Sequence, residues 1–448
     1  MNPQPNVDIA VVGAGAAGLA AAIFAAETRP DRTVLLLDGA RKIGAKILVS
    51  GGGRCNVTHA QVTPSDFHAP RKIVERVFKR FDAQDTIHWF ESMDVPLKQE
   101  PTGKLFPVSN KARTVLHALL HRCTTLGIPI KSQHRVQELI PTDTGFLIFY
   151  ENGQLTAHRV IMATGGRSLP KTGSNGQGWS IVRQLGHTVD TAYPALVPLM
   201  LEETFFHHGL SGISHEATVT TRVDGKIADR RSGSLLWTHF GVSGPVILDA
   251  SRFWIRARGL GQTAAITLNF FPGQSFEAID RWLSHTARSA GRKTLASALA
   301  QQLPHRVAKA LCANKDLWGQ IATTDKSVQG STNEGLIEGG MGSLPLCRLS
   351  RVARRALAQT MTELPLPVIG HRGWNHAEVT AGGIPLHEVN PSTMASRKVP
   401  GLYLVGEMLD CDGRIGGFNF QWAWATGHIA GCSAAHDLSN ELSKRWRR

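Results

Sequence analysis

A glycine-rich stretch near the start of the chain constrains the fold more than any other feature. Residues 7–27, VDIAVVGAGAAGLAAAIFAAE, begin with a β-branched run and pass through Gly13, Gly15 and Gly18 into an alanine-rich segment. The first glycine permits a tight strand-to-helix turn, the second lets the backbone approach a pyrophosphate, and the third allows close helix–strand packing. The helix N-terminus then presents free N–H groups and a positive dipole end. The stretch predicts a Rossmann-type unit.

An acidic residue at the expected spacing strengthens this prediction. A second predicted strand, residues 33–37 (TVLLL), ends at Asp38, twenty residues beyond Gly18. A carboxylate at that point can accept hydrogen bonds from an adenosine ribose. The motif G-x-G-x-x-G alone is weak evidence, but the strand, the helix and the acid together predict a dinucleotide site.

Length and composition limit the class of protein. The 448 residues, 42% hydrophobic and 19% charged, predict a globular protein of two or three domains. Because no apolar run approaches a membrane span and no signal-peptide pattern precedes the first strand, we expect a cytoplasmic protein without a membrane partner. Six cysteines without a C-x-x-C pair argue against a disulfide framework, a redox dithiol and a zinc site, so we expect no metal.

The net charge of +14 is spread over the chain and includes the tail, residues 444–448. A basic surface concentrates polyanions and speeds encounters with them. The charge therefore indicates a nucleic-acid partner, with simple solubility as the alternative.

A second glycine-rich segment follows Asp38. Residues 39–58, GARKIGAKILVSGGGRCNVT, interleave glycines with Lys42, Lys46 and Arg54. Such a segment can bring its backbone close to a ligand while supplying cations. We predict that residues 50–56 contact a cofactor.

The hydrophobic pattern has a period of two from residue 128 to 162 and then runs into A-T-G-G at 163–166. A small, glycine-ended stop after a buried strand lets the chain pass closely by a bound nucleotide, as in flavin-binding Rossmann proteins. The later run GSNGQG at 173–178 lacks a surrounding βαβ unit with a ribose acid, so we interpret it as a loop of the same site.

The middle of the chain has a different character. Residues 194–270 have strand character and contain T-H-x-G-x-S-G-P at 238–245. This motif is suited to a loop that lines a cleft, or to a helix N-terminus with Ser243 as the cap and Pro245 in the first turn. Residues 329–342, rich in Gly, Ser and Asn, predict a loop.

Rossmann-like character returns near the end of the chain. The strand pattern at 401–408 stops at Gly406-Glu407, where an acid can hold ribityl hydroxyls. Gly416 and Gly417 then precede a final helix, predicted over 422–435, whose dipole can stabilise negative charge on a reduced isoalloxazine. An N-terminal fingerprint completed by a C-terminal segment makes the middle of the chain an insertion.

These patterns predict an α/β fold in which the cofactor domain is split. The predicted parts are a Rossmann-like dinucleotide-binding domain (1–193 and 366–448), an inserted β-rich substrate domain (194–273 and 341–365) and a helical subdomain (274–340).

The combined motifs resemble the YhiN/BaiN-like flavoprotein family. The resemblance rests on the fingerprint, on S-G-G-G-R-C-N at 50–56, on A-T-G-G, on T-H-x-G-x-S-G-P and on G-E-x-L-D-x-x-G-x-x-G-G-x-N-x-Q at 406–421. It covers residues 7 to about 430 and implies a noncovalent FAD. The residues expected to bind FAD are Gly13, Gly15, Ala16, Ala17, Gly18, Asp38, Gly39, Lys46, Ser50, Gly51, Gly52, Arg54, Cys55, Asn56, Val136, Ala163, Thr164, Gly165, Gly166, Gly406, Glu407, Gly416, Gly417, Phe418 and Asn419.

The chain departs from the family pattern at two positions. Asp38 stands where such proteins often carry Glu, which shortens the ribose contact without removing it. Cys411 stands where an aliphatic residue is common, and we expect a buried structural cysteine there rather than a thiol beside the flavin.

The resemblance implies reduction of a C=C bond conjugated to a carbonyl, with NADH or NADPH as a transient reductant. Members of the family reduce steroid-like enones or form dihydrouridine in large-subunit ribosomal RNA. The charge of this chain favours the RNA substrate. The alternatives are a small-molecule enone reductase and a non-catalytic flavin-containing RNA-binding factor, which turnover of NAD(P)H would separate.

Three residues are candidate catalytic proton donors: Cys55, His239 and Glu378. Each also has a structural interpretation. Cys55 can pack under the flavin, His239 can be a loop histidine, and Glu378 can hold Arg372 or a ribose.

Overall fold

The computed structural model describes residues 7–314 and 340–445. The chain forms two compact units, the first from Met1–Pro194 with Trp374–Arg448 and the second from Ala195–Gly373. The return to the first unit comes later than the predicted residue 366, because residues 368–371 form a strand in the sheet of the second unit.

The strands, in chain order, are β1 (Val7–Val12), β2 (Val34–Leu37), β3 (Thr58–His59), β4 (Phe67–His68), β5 (Leu97–Gln99), β6 (Lys104–Pro107), β7 (Ile130–Lys131), β8 (Val136–Thr142), β9 (Gly145–Tyr150), β10 (Gly153–Met162), β11 (Tyr193–Ala195), β12 (Leu199–Leu201), β13 (Ser214–Val223), β14 (Lys226–Thr238), β15 (Gly241–Ser243), β16 (Ala264–Asn269), β17 (Leu364–Leu366), β18 (Val368–His371), β19 (Val379–Ala381), β20 (Leu402–Leu404) and β21 (Asp412–Gly413). The α-helices are α1 (Ala16–Thr28), α2 (Ala45–Gly53), α3 (Arg71–Phe78), α4 (Ala83–Glu91), α5 (Ala112–Thr125), α6 (Gln177–Gln184), α7 (Pro245–Gly259), α8 (Phe276–Ser289), α9 (Leu295–Leu299), α10 (His305–Ala313), α11 (Arg351–Glu363) and α12 (Phe418–Arg445).

The first unit is built on a seven-stranded sheet. Six of its strands follow the order β7-β2-β1-β10-β9-β8, and the seventh, β20, pairs with β10. β7, β2, β1 and β10 are parallel, and β20 adds a further parallel strand beside the C-terminal half of β10. β2 is a continuous buried apolar run, and β1 is one from Ile9 onward, as expected for parallel strands covered on both faces. The carboxyl ends of β1, β10 and β20 therefore meet at one edge, where ligands bind in open α/β sheets.

Two helices from opposite ends of the chain pack closely in this unit. α12 begins at Phe418, earlier than the predicted residue 422, and lies against the alanine-rich α1. A Cβ added to Gly427 or Gly431 of α12 would lie 2.6 Å from the carbonyl oxygen of Ala17 or 2.3 Å from that of Ala21. The small residues on both helices permit this approach, which ties the C-terminal segment to the N-terminal fingerprint.

The second unit contains an antiparallel seven-stranded sheet in the order β17-β16-β13-β14-β15-β12-β18. β13 and β14 form a long hairpin, and α7 packs against it. The predicted helical segment from residue 274 contains α8, α9 and α10 in its described part. The part of the predicted loop before residue 340 and the end of the basic tail, residues 446–448, lie outside the described residues.

The T-H-x-G-x-S-G-P motif forms a hairpin and a helix start. β14 ends at Thr238, and β15 begins at Gly241, with which Thr238 pairs. α7 then starts at Pro245, whose missing N–H is tolerated at the first helical position. The prediction that Ser243 caps this helix is wrong, because Gly244 is the N-cap residue and makes no side-chain cap.

No helix among the described residues is long and apolar enough to cross a membrane.

A buried histidine on α12 gives the first unit a predictable pH dependence. The ring of His428 packs edge-on against Phe24 and stacks on Phe81, and its Nδ1 is buried without a hydrogen-bond partner. Burial lowers the pKa of His428 to about 4, with Asp85 opposing this shift and Arg80 adding to it. The unfolded chain, with an ordinary histidine pKa, therefore binds this proton at a higher pH than the folded chain does.

We expect the free energy of unfolding to fall as the pH is lowered from 7 to 4, and His428→Phe to remove about 2–3 kcal/mol of that loss. Chemical denaturation of both proteins across this range measures the difference. The pKa values of other buried histidines, such as His187 and His215, are also lowered. The wild type and His428→Phe both contain these residues, so their effects cancel in the difference between the two proteins. Parallel stability curves for the two proteins would contradict the assignment to His428.

Candidate functional site

The three fingerprint glycines of the first unit have different surroundings. Gly13 has a φ of +105°, and a Cβ added to it would lie 2.4 Å from the carbonyl oxygen of Ala163. A Cβ on Gly18 would lie 1.8 Å from the carbonyl oxygen of Gly13. A Cβ on Gly15 would meet no atom within 4 Å. Gly13 and Gly18 therefore hold the turn together, while Gly15 borders open space at the N-terminus of α1.

Asp38 closes the same turn from the neighbouring strand. Its Oδ2 accepts a hydrogen bond from the backbone N of Ala14 at 2.6 Å, and its Oδ1 accepts one from the N of Ala40 at 2.6 Å. Each carboxylate oxygen has a second lone pair. The side chain thus fixes the β2 end against the fingerprint and keeps acceptor capacity for a ribose hydroxyl.

The A-T-G-G stop after β10 is packed as closely as the fingerprint. A Cβ on Gly165 would lie 2.5 Å from Ser174 Oγ, and a Cβ on Gly166 would lie 2.4 Å from Thr380 Oγ1. Thr164 occupies the space beside Gly178, where a Cβ would lie 1.9 Å from its Oγ1. The predicted loop after residue 173 therefore packs against this stop, within the first unit.

Glu407 is the centre of a charged network at the end of β20. Its Oε2 accepts from Lys46 Nζ at 2.6 Å, and its Oε1 accepts from Ser168 Oγ at 2.6 Å and from the backbone N of Thr380 at 2.9 Å. Burial raises the pKa of Glu407, but Lys46, Ser168 and Thr380 together hold it below its usual range. The carboxylate is thus ionised at neutral pH and joins α2, β19 and β20.

Sequence reasoning missed Ser168 and Thr380 as members of this network. Thr380 Oγ1 also accepts hydrogen bonds from the backbone N of Arg167 at 2.8 Å and of Ser168 at 3.0 Å. Ser168 directly follows the A-T-G-G stop and Thr380 directly precedes A-G-G at 381–383. This position beside glycine-ended strands could have indicated that both residues lie at the site.

The segment 50–56 bends sharply instead of continuing α2. Ser50, Gly51 and Gly52 have non-helical backbone angles, and Gly51 and Gly52 have φ of +55° and +68°. Ser50 Oγ donates to the carbonyl oxygen of Ile47 at 2.8 Å. The exposed Gly51 and Gly52 lie at the surface, while the next turn enters the core.

Two residues of this segment are buried side by side. Cys55 is completely buried, and burial raises the pKa of its thiol to about 12. Asn56 is 8% exposed, and its Oδ1 is buried without a hydrogen-bond partner. A buried polar atom without a partner is costly in a folded protein, which makes this oxygen a candidate acceptor for a bound group.

The start of α12 adjoins Asn56. Gly416 and Gly417 have φ of +133° and +93°, and a Cβ on Gly417 would lie 2.9 Å from Asn56 Oδ1. Asn419 pins the turn before the helix through its hydrogen bonds with both the N and the O of Gly413, at 2.8 and 2.9 Å. The orphaned oxygen thus lies beside a helix N-terminus preceded by two glycines.

The remaining predicted FAD residues are spread around these groups. The Arg54 guanidinium lies 4.0 Å from the ring centroid of Phe106 and pairs with Glu100 at 2.6 Å. Gly39 lies beneath Arg135, whose Cζ would be 2.8 Å from an added Cβ. Val136 is buried in β8, and Ala17 is buried in α1 while Ala16 is half-buried. Phe418 stacks on His59, with ring centroids 4.8 Å apart.

The three candidate proton donors fall in different settings. Cys55 and Glu378 belong to the first unit, and His239 belongs to the second, where it lies in the turn between β14 and β15. Glu378 and His239 are exposed, whereas the thiol of Cys55 has no exposed surface. Burial favours the packing interpretation of Cys55, and its role as a proton donor stays a hypothesis. Cys411 is also buried, with 2% exposure.

The family model described as "HI0933-like protein Rossmann domain" matches residues 7–433. The chain belongs to this family. A 3-dehydro-bile acid delta(4,6)-reductase of Clostridium scindens is 30% identical over 428 residues, which cover 95% of this chain and 98% of that protein. Ribosomal RNA dihydrouridine synthases of Escherichia coli and Haemophilus influenzae are each 29% identical, over 94% of this chain and 96% and 97% of theirs.

Family membership confirms the resemblance stated from the motifs and the predicted α/β class with a Rossmann-type sheet. It also confirms the predicted enzyme class, an FAD-dependent oxidoreductase.

Proposed function

We propose that this chain reduces a C=C bond conjugated to a carbonyl, and that its substrate is uracil in large-subunit ribosomal RNA. The reaction class is supported by the family and by the names of the relatives, a reductase and two dihydrouridine synthases. The observation that favours RNA is the net charge of +14, since phosphate contacts dominate affinity for nucleic acids.

The residues of the first unit fit FAD at three separate points. Gly15 leaves open space at the N-terminus of α1, which suits a pyrophosphate. Asp38 has acceptor capacity at the end of β2, which suits the adenosine ribose. The orphaned acceptor oxygen of Asn56 suits an N–H group of a flavin. The adjacent N-terminus of α12 suits the electron-rich edge of the same ring system.

A bound, reduced FAD would supply the hydride that adds to C6 of the uracil ring, and a proton delivered at C5 would complete the gain of two hydrogens. We propose NADH or NADPH as the reductant that restores the reduced flavin, bound transiently because the chain has no second Rossmann fingerprint.

The protein groups position these reactants and deliver the proton. His239 and Glu378 are exposed and can meet a substrate that arrives from solution, and we propose them ahead of Cys55 as proton donors. Lys46 lies close to the carboxyl end of the sheet, where its charge is already paired with the Glu407 carboxylate.

A small-molecule enone is the second candidate substrate. The observation that favours it is the 30% identity to a bile-acid reductase over nearly the full length of both chains. A steroid-like substrate, even with the single carboxylate of a bile acid, gives no reason for the excess of 49 Lys and Arg over 35 Asp and Glu.

Anaerobic reoxidation of the reduced flavin separates these substrates. Ribosomal RNA from cells lacking the enzyme should reoxidise the flavin, whereas RNA that already carries the modification should not. If a conjugated steroid enone reoxidises the flavin and unmodified RNA leaves it reduced, the RNA assignment is wrong. If neither acceptor reoxidises the flavin and NAD(P)H is not turned over, the chain acts as a non-catalytic flavin-containing factor.

A further inference from the structure

The helical part of the second unit has an unusual charge pattern. Residues 281–362 contain twelve Arg and Lys and four Asp and Glu, and none of the four acids lies in 281–314 or 340–362. The whole chain has 35 Asp and Glu among 448 residues, so stretches of this length are expected to contain several. These stretches therefore carry a large share of the positive charge of the chain.

The fold brings the two stretches together. α8 and α11 pack against each other and run antiparallel. At one end, the backbone N of Cys347 donates to the carbonyl oxygen of Gly291 at 3.1 Å, and further along, Arg354 Nε donates to Asp280 Oδ1 at 2.7 Å. The C-terminal end of α8 thus lies beside the start of α11.

Five basic side chains surround this junction: Arg288, Arg292, Lys293, Arg348 and Arg351. We call them the basic surface. Lys293 is half-buried and the other four are exposed. Within the described ranges 7–314 and 340–445, none of the five forms an ion pair.

Among the described residues, the nearby carboxylates do not neutralise the basic surface. Asp280, in the middle of α8, is already shared by Arg354 at 2.7 Å and Arg355 at 3.8 Å. It precedes Arg288 by two helical turns, about 12 Å along the axis, which exceeds the Debye length of about 8 Å at physiological salt. Arg351 lies within one turn of Arg354 and so is nearer to Asp280. The repulsion among the other four cations is uncompensated within the described chain and would be relieved by a polyanion.

We propose that the basic surface binds the phosphate backbone of RNA. This proposal rests on the RNA substrate proposed above. It places the capture of that substrate on α8 and α11, apart from the flavin chemistry of the first unit. Arginine suits this task because its planar fork contacts phosphate through two N–H groups, and four of the five residues are arginines. Such contacts position RNA without reading its sequence.

Neutralising three exposed arginines tests this proposal in the FAD-loaded, oxidised protein, where no turnover is needed. The variant R292Q/R348Q/R351Q is compared with K72Q/R76Q/K79Q, which removes the same charge from exposed positions on and just after α3 of the first unit. Fluorescence anisotropy of a labelled hairpin from large-subunit ribosomal RNA gives the affinity over a series of KCl concentrations. R292K/R348K/R351K keeps the charge and controls for folding.

We expect R292Q/R348Q/R351Q to weaken binding at least about tenfold at physiological salt, and to reduce the slope of log K against log[salt] by about 2. The α3 variant should change the affinity less than about twofold, and the lysine variant should keep most of it. Equal losses in the two glutamine variants, or an unchanged salt slope, would overturn the proposal.

A competition experiment tests an acidic protein as the alternative partner. If poly-glutamate displaces the hairpin as well as unlabelled RNA of equal charge does, the surface serves an acidic peptide and the proposal fails. Binding is measured without chemistry, so these outcomes are independent of the proposed reaction. If R292Q/R348Q/R351Q binds RNA normally and the wild type forms dihydrouridine, only the basic surface is contradicted. If this variant loses RNA binding and the wild type forms no dihydrouridine, only the proposed function is contradicted.

Discussion

Replacement of Gly15 by alanine is expected to leave the protein folded but to weaken FAD binding at least about tenfold, or 1.4 kcal/mol. Gly15 has φ of −82° and ψ of −168°, which alanine adopts without strain, and an added Cβ meets no protein atom within 4 Å. The methyl group would instead occupy the space that we assign to the pyrophosphate. Flavin fluorescence titration of the apoprotein measures the affinity, and thermal unfolding of the apoprotein measures the fold.

Two further glycine variants are the controls. In Gly18→Ala the new Cβ would lie 1.8 Å from the carbonyl oxygen of Gly13, so the turn must move, and we expect a loss of about 3 kcal/mol or more in stability. Gly259→Ala, at the end of α7, also meets no atom within 4 Å and should change neither property. If Gly15→Ala binds FAD as tightly as the wild type, the pyrophosphate does not lie at this turn.

Removal of the Glu407 carboxylate should cost about 3 kcal/mol of unfolding free energy at neutral pH. Glu407→Ala leaves the ammonium of Lys46 without its carboxylate and removes the acceptor for Ser168 and for the backbone N of Thr380. The uncompensated charge accounts for most of the expected cost, because the ion pair is largely withdrawn from solvent. Chemical denaturation of the apoprotein gives the value.

The double variant Lys46→Met with Glu407→Gln is the matched control. It removes both charges and retains an amide oxygen that can accept from Ser168 and Thr380, so it should recover more than half of the loss. The pKa of Glu407 is lowered, so its contribution is present at neutral pH and is lost as the pH falls through that pKa. A cost below about 0.5 kcal/mol for Glu407→Ala would show that water replaces the carboxylate.

The fingerprint was predictable because its physics is local. Gly13, Gly15 and Gly18 lie within six residues at the junction of β1 and α1. Asp38, which hydrogen-bonds to this junction, follows the next strand along the chain. Spacing along the chain therefore carried nearly all the information that the folded structure uses. The same holds for Gly416 and Gly417, which directly precede α12.

The Glu407 network was not predictable in the same way. Lys46 and Glu407 are separated by 361 residues, and their ion pair forms only when α2 and β20 reach the same edge of the sheet. The sequence suggested that Glu407 holds ribityl hydroxyls, but its two oxygens are already engaged by three protein donors. Its direct contact with FAD stays a prediction.

Local sequence patterns led to a wrong N-cap residue for α7. They also placed the return of the chain to the first unit too early, at residue 366. Ser243 was predicted to cap α7, but pairing of β15 with β14 places it in a strand. The returning domain was placed from residue 366, yet residues 368–371 complete the antiparallel sheet of the second unit by pairing with β12. In both cases strand pairing outweighed the local signal, with the adjacent β14 for Ser243 and with the distant β12 for residues 368–371.

The central claim is tested most directly by mass spectrometry of nuclease fragments of the RNA product. The FAD-loaded enzyme, reduced anaerobically, is mixed with large-subunit ribosomal RNA from cells that lack the enzyme, and each uridine is followed for the gain of two hydrogens. Our account predicts dihydrouridine at one site, in step with flavin oxidation. Flavin that stays reduced beside unmodified RNA, but is oxidised by a steroid-like enone, would contradict it.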